Sequence, residues 1–114
     1  MFKFETLNVW KKAQELCDVV LDEVKNLPSE YRYTIGNNLI RAAMSVPNNI
    51  AEGSGRKTIK ESSNFYNIAK GSVYEVVNVI MILSNKGLII REKYDLIYAK
   101  SEEISKMLSG LINK

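Results

Sequence analysis

Apolar side chains recur every three or four residues through most of this chain, which is the spacing that gives an amphipathic helix one apolar face. The first predicted helix runs from about Leu7 to Leu27. Pro28 follows directly, and because proline disfavours helical geometry at the residue before it, we expect the chain to turn back there. The apolar positions of this helix are Val9, Ala13, Leu16, Val20, Val24 and Leu27.

The second predicted helix runs from about Ser29 to Glu52. Pro47 lies inside it and has no backbone N–H to donate, so a kink is expected at that point. The segment Gly53-Ser54-Gly55 then ends the helix, since glycine readily adopts the left-handed conformation of a helix C-terminus. The apolar row of this helix is Ile35, Leu39, Ala42, Val46 and Ile50.

A third predicted helix begins at Thr58, because Thr58 and Glu61 have the spacing of a capping box. Gly87 is expected to end it. Residues 76–80 are mostly β-branched and could also be interpreted as a buried strand, but their continuity with a capped helix favours the helix. The buried face is predicted to hold Phe65, Ala69, Val73, Val76, Ile80 and Leu83.

A fourth predicted helix follows Arg91, with an apolar row at Tyr94, Ile97, Ile104, Leu108 and Leu111. Four helices of about 20 residues joined by short connections favour antiparallel neighbours around one core. The sequence therefore predicts an all-α, up-and-down antiparallel four-helix bundle. Residues 1–114 are expected to form a single domain, because one core typically serves about 100 to 150 residues.

A second row on the second predicted helix is entirely polar and lies beside the apolar row. One interpretation is a solvated helix side, and the other is a contact with a second subunit or with nucleic acid. Arginine offers a planar fork suited to phosphate or carboxylate, and asparagine offers both donors and acceptors. This polar row consists of Thr34, Asn38, Arg41, Ser45, Asn48 and Glu52.

The turn between the second and third predicted helices is basic and rich in glycine. Arg56, Lys57 and Lys60 precede or open a helix, where backbone amides and positive side chains favour anions. The turn is either an ordinary connection with solvated charges or a contact for a nucleic-acid backbone. Inside the third helix, Gly71 and Ser72 reduce bulk and are expected to let another backbone approach closely.

Composition argues against catalysis and against a metal or organic cofactor. The chain has no histidine, the usual imidazole base and metal ligand, and its one cysteine, Cys17, is expected to be a small core residue. No apolar run reaches the roughly 20 residues of a membrane span, so a cytoplasmic location is expected. The formal net charge of +3 is a mild excess that would assist an approach to nucleic acid.

Several of these segments together resemble a known family. The run from Arg41 to Gly53 (RAAMSVPNNIAEG), then Arg56 and the later Gly71-Ser72-Val73-Tyr74-Glu75, resembles the bacterial four-helix-bundle proteins encoded in intervening sequences of 23S ribosomal RNA genes. The same family includes the accessory variability protein of diversity-generating retroelements. The opening segment and the Leu27-Pro28 turn are similar too, so the resemblance covers nearly the whole chain.

This resemblance implies a homo-oligomer, a pentameric ring of bundles, with a basic surface that binds RNA or DNA. It also implies contact with a reverse transcriptase and its template RNA for members found in retroelements. Together with the residues above, it gives a non-catalytic nucleic-acid-binding protein as the first hypothesis and a protein-binding adaptor as the second. The expected nucleic-acid contacts are Arg41, Arg56, Lys57 and Lys60, and the expected oligomer or polar-face residues are Asn38, Ser45, Asn48 and Glu52.

Overall fold

The computed structural model describes residues 1–113, and every regular element in that part of the chain is helical. Residues 76–80 lie within a helix rather than a strand, so the all-α prediction is confirmed. No helix within the described part of the chain has both the length and the apolar character needed to cross a membrane. A 3-10 turn, Lys3–Thr6, precedes five helices: α1 Asn8–Lys25, α2 Ser29–Arg32, α3 Ile35–Ser54, α4 Ile59–Asn85 and α5 Arg91–Ile112.

The four long helices form the predicted up-and-down antiparallel bundle, in which each helix packs on two neighbours. Contacts join α1 to α3, α3 to α4, α4 to α5, and α5 back to α1. The predicted apolar rows point into the shared core, where each fully buried Leu, Ile or Val contributes about 2 kcal/mol of burial free energy. The exception is Phe65, which was predicted to be buried but is half-buried, whereas its neighbour Tyr66 lies in the core. The largest fully buried side chains include Leu16, Leu39, Ile80, Ile97 and Ile104.

Two ion pairs join α1 to α5 at the surface. Lys100 Nζ lies 3.1 Å from Glu15 Oε1, and Lys12 Nζ lies 3.6 Å from Glu103 Oε1. The hydrogen bond from Lys100 lowers the pKa of the Glu15 carboxyl below its ordinary value. Because these groups are solvent-exposed, the pairs orient the two helices and add little stability.

The second predicted helix is not continuous, since it is broken between Arg32 and Ile35. Thr34 at the break has φ −115° and ψ −92°, and its hydroxyl donates to carbonyls of the preceding turn at 3.3 Å. Just beyond it, Gly36 faces Val24 of α1, where an added Cβ would lie 2.9 Å from Val24 Cγ1. The break therefore brings the start of α3 against the end of α1, a tertiary contact that periodicity does not encode.

Helix α3 continues through Pro47 as one element, and a neighbouring helix compensates for the missing N–H. In a regular helix, residue 47 would donate to the carbonyl of Ala43. The Cys17 thiol of α1 donates to that carbonyl instead, at an Sγ···O distance of 3.2 Å. Cys17 is thus half-buried with a specific hydrogen bond, and not simply the apolar core residue that the sequence predicts.

The glycines at the ends of α3 and α4 are required for different structural reasons. Helix α3 ends at Ser54, as predicted, but neither Gly53 nor Gly55 has a positive φ, so the expected left-handed ending is wrong. Gly53 is instead required by packing, since an added Cβ would lie 2.7 Å from Tyr66 Cε1. The left-handed ending is found after α4, at Gly87 with φ +68°, where Leu88 N–H bonds to Leu83 O.

Candidate nucleic-acid interface

The polar row of α3 lies along the outside of the bundle, as the sequence predicts. Asn38, Arg41, Asn48 and Glu52 are all exposed, whereas Ser45 is half-buried. Arg41 has no carboxylate within 4.0 Å among residues 1–113, so its guanidinium is available to a ligand or to another chain.

Ser45 belongs to a small polar network between α3 and α4. Its hydroxyl lies 2.8 Å from the Ser72 hydroxyl and accepts a hydrogen bond from Asn49 Nδ2 at 3.0 Å. Ser72 is nearly fully buried, and a buried hydroxyl without a partner would cost on the order of 1–3 kcal/mol. The sequence therefore placed Ser45 on the right face, but its hydroxyl is engaged within the chain.

Arg56 is held in place by two neighbours. Its Nη2 lies 3.9 Å from Glu52 Oε2, and its guanidinium carbon lies 4.6 Å from the centre of the Phe65 ring. The Arg56 side chain still has 43% of its surface exposed. A guanidinium lying on an aromatic ring loses little conformational freedom when it binds a phosphate, so Arg56 is oriented as well as charged.

The start of α4 is already capped. The Thr58 hydroxyl accepts from the Glu61 backbone N–H at 3.1 Å, as a capping box predicts. The Glu61 carboxylate accepts from the Thr58 hydroxyl at 2.9 Å instead of from a backbone amide. With one amide used and a carboxylate beside it, this helix N-terminus is a poor anion site, and an anion here would depend on the basic side chains.

Several exposed basic side chains lie at one end of the bundle. Lys57 and Lys60 are exposed in and after the α3–α4 connection, next to Arg56. The N-terminal 3-10 turn packs on α3, and its Phe4 lies in one depression with Pro47 and Ala51, near the same end. Exposed Lys3 in this turn therefore lies at the same end of the bundle. We call these four residues the basic end: Lys3, Arg56, Lys57 and Lys60.

The sequence alone missed Lys3 because the residue lies far from the others along the chain. The antiparallel order of the first two long helices would have been enough to find it, since that order brings the start of the chain beside the end of α3. Arg41, by contrast, lies about 20 Å from Arg56 along the helix axis, at 1.5 Å per residue. The four predicted nucleic-acid contacts therefore form one compact group of three and one distant residue.

The side chains of residues 1–113 that could ligate a metal are dispersed. No group of three or more His, Cys, Asp or Glu residues in that part of the chain lies close enough together to hold a metal ion. Burial raises the pKa of the Cys17 thiol to about 11, so this thiol is protonated at neutral pH. A protonated thiol donates a hydrogen bond well and is a weak nucleophile.

Comparison with known proteins agrees with the all-helical fold. The sequence pattern of the 23S rRNA-intervening sequence proteins matches residues 5–110. A crystal structure of a protein with unknown function from the S23 ribosomal protein family of Bacteroides thetaiotaomicron is similar, with a TM-score of 0.87 and 25% sequence identity. The similarity covers 93% of this chain and 99% of that one. Among curated proteins, none matches the chain.

Proposed function

The chain belongs to the family of 23S rRNA-intervening sequence proteins, and on that premise we propose that it is a non-catalytic, oligomeric protein that binds RNA or DNA. The observation that supports this proposal is the basic end, where Lys3, Arg56, Lys57 and Lys60 are each exposed at the same end of the bundle. Lysine and arginine side chains bind nucleic acid mainly by neutralising phosphates, which needs no particular base sequence.

Assembly would concentrate the positive charge, which is low on a single chain. One copy carries a formal charge of only +3, which is a weak field for a polyanion. In a closed ring, symmetry places the same end of every copy on one rim, so the basic ends would form a continuous positive surface. The resemblance of the sequence to the intervening-sequence proteins gives five as the proposed number of copies.

A non-catalytic role is part of the same proposal. The chain has no histidine to act as a general base, and its single cysteine has a thiol pKa of about 11. A nucleophile must lose its proton readily near neutral pH, which this buried thiol does not. We propose binding, rather than a reaction, as the activity of the protein.

The test is the salt dependence of binding to a short RNA hairpin. Replacing Arg56 and Lys57 by Gln should weaken binding at low salt and reduce the slope of log affinity against log salt by about 1 to 2, because each lost phosphate contact removes about 0.7 to 0.9. Fluorescence anisotropy at several salt concentrations would measure this slope.

The chain offers a matched control at the opposite end of the bundle. Arg91 also pairs with a carboxylate, Asp95 at 3.1 Å, and also lies over an aromatic ring, Tyr94 at 5.2 Å. Replacing Arg91 and Lys93 by Gln removes the same charge and should leave the salt slope nearly unchanged. Equal slopes for the two double variants would contradict the assignment of the basic end.

A second function is suggested by the other end of the bundle. Tyr33 and Ile90 have 70% and 63% of their surfaces exposed there, and exposed apolar surface of this kind can serve a contact with a protein. We propose as the alternative an adaptor that docks on a reverse transcriptase or another protein through this apolar end. Copurification of the partner after nuclease treatment, and its loss on replacing Tyr33 and Ile90 by Ser, would favour the adaptor. Loss of every partner under nuclease would exclude it.

A further inference from the structure

The N-terminal turn carries an exposed aromatic ring beside the basic end. Phe2 is 72% exposed, and it directly precedes Lys3, one of the four residues of the basic end. Single exposed apolar side chains are common on protein surfaces. This ring differs from an ordinary exposed residue because its neighbours hold it in a defined orientation.

Two further rings support Phe2 from below. The Phe2 and Phe4 rings are stacked, with 5.8 Å between their centres and 17° between their planes. Phe4 in turn meets the edge of Trp10 at 4.9 Å, and Trp10 packs against the core. The Phe2 backbone is fixed as well, since its N–H donates to the Glu5 carboxylate at 2.6 Å and its carbonyl accepts from the Glu5 N–H at 3.1 Å. Phe2 is therefore the outermost of three rings that are anchored on the bundle.

The open face of the Phe2 ring has the shape of a stacking surface. Phe4 lies against one face of this ring, and the high exposure of Phe2 leaves the opposite face to solvent. Every nucleobase has a flat face that stacks on an aromatic ring of this kind. Because the ring is already oriented, little conformational freedom is lost when a base stacks on it.

A second planar group at the basic end is supported in the same way. The guanidinium of Arg56 lies 4.6 Å from the centre of the Phe65 ring, and the Arg56 side chain is 43% exposed. Unstacked bases pack on guanidinium planes as well as on aromatic rings. The side of the guanidinium that faces away from Phe65 is thus a second surface suited to a base.

The two planar groups lie near the same end of α3. Phe4, which supports Phe2, lies in one depression with Ala51. Ala51 precedes Arg56 by five residues, which is about one and a half turns at the helical repeat. One strand of nucleic acid that crosses this end of the bundle would therefore meet both planar groups.

Cations accompany both planar groups. Lys3 directly follows Phe2 and Lys57 directly follows Arg56, and both lysines are exposed. Flat groups that stack with bases, placed among cations that neutralise phosphates, are the combination by which proteins bind single-stranded nucleic acid. In a duplex the base faces are stacked on one another, so only unpaired nucleotides can use such surfaces.

We propose that the basic end binds unpaired nucleotides, with one base stacked on the Phe2 ring and another on the Arg56 guanidinium. This inference rests on the proposed function and narrows its ligand from nucleic acid in general to single strands and loops. An anionic membrane also attracts apolar and basic residues, but it requires a longer apolar helix face. The turn Lys3–Thr6 has four residues, which is too short to supply one.

The test compares a short unstructured RNA strand with an RNA duplex of the same length, by fluorescence anisotropy at several salt concentrations. The wild type should bind the strand about tenfold more tightly than the duplex, although the duplex has the higher charge density. Phe2→Leu keeps an apolar side chain but removes the ring, and it should weaken strand binding about five- to hundredfold. Its salt slope should not change, because no charge is lost. Phe2→Trp keeps a ring and should retain the affinity.

Two matched controls lie at the opposite end of the bundle. Tyr33 is 70% exposed, so Tyr33→Leu removes a ring of similar exposure and should leave strand binding unchanged. Arg56→Lys keeps the charge but loses the planar guanidinium, and it should weaken strand binding severalfold at an unchanged salt slope. Arg91→Lys, whose guanidinium also lies over a ring, should have no such effect. Far-ultraviolet circular dichroism should show the same helix content in every variant, since all of these side chains are on the surface.

The possible failures separate the inference from the proposed function. Equal affinities for strand and duplex, or undiminished strand binding by Phe2→Leu, would overturn the stacking inference and leave nucleic-acid binding in place. A wild type that binds neither RNA would overturn the proposed function and the inference with it. Binding to vesicles of phosphatidylserine and phosphatidylcholine in preference to the RNA strand would mean that Phe2 enters a membrane, which would also overturn the inference.

Discussion

The small and helix-disrupting residues of α3 each have a partner inside the chain, whereas those on the outer face of α4 have none within residues 1–113. Gly53 leaves room for the Tyr66 ring, and the carbonyl freed by Pro47 accepts the Cys17 thiol. Gly71 on the outer face of α4 faces open space. Glycine is therefore required by packing within the chain at position 53, but not at position 71.

The difference separates glycines that packing within the chain explains from a glycine that it does not explain. A costly feature with an internal partner is part of the packing of the bundle. Gly71 has no such partner, and exposed Tyr74 and Met81 lie on the same face of α4. Substitutions at matched positions in the two regions should therefore have effects of opposite sign on folding.

The largest expected effect on folding is at Gly53. Gly53→Ala would place a methyl carbon 2.7 Å from Tyr66 Cε1 and 3.0 Å from Phe65 Cβ, so the seam between α3 and α4 must open. We expect the free energy of unfolding to fall by about 1–3 kcal/mol, the usual cost of overpacking. Urea denaturation followed by circular dichroism would measure it, and an unchanged midpoint would show that the seam adapts freely.

A smaller effect is expected at Cys17. Cys17→Ala removes the donor to the Ala43 carbonyl and should cost about 1 kcal/mol, the net value of one hydrogen bond. Cys17→Ser keeps a donor of similar size and should retain more of the stability. If the Ala variant is as stable as the Ser variant, the thiol acts only by filling space.

The smallest effect, and the one of opposite sign, is expected at Gly71. Gly71→Ala should raise the free energy of unfolding by about 0.5–1 kcal/mol, because alanine has the better helix propensity and the added carbon meets nothing. The measurement should be made at protein concentrations that dissociate the assembly. A destabilised variant would mean that Gly71 is already packed within one chain, and the contrast between the two regions would disappear.

The fold could be predicted from the sequence because periodicity reports directly on burial. Leu16, Leu39 and Ile80, each in a predicted apolar row, are all fully buried. The capping residue Thr58 and the terminating Gly87 were also placed correctly, since both act through their own stretch of backbone.

The features that could not be predicted depend on contacts between distant segments. The break before Ile35 follows from packing against the end of α1, and the orientation of Arg56 follows from Phe65. Ser45 looks like any other member of the polar row until Ser72 is placed beside it. For the site, the sequence groups Arg56, Lys57 and Lys60 in one basic turn, but only the antiparallel packing brings Lys3 to the same end of the bundle and separates Arg41 from it.

The central claim is that this chain assembles and that the assembly binds nucleic acid. The most direct test is the absolute mass of the wild-type protein by light scattering, at low and at moderate salt, before and after addition of a short structured RNA. We predict a mass several times 13.0 kDa, near that of five copies, which increases when RNA is added. A stable mass of 13.0 kDa that does not respond to RNA would contradict both the assembly and the binding.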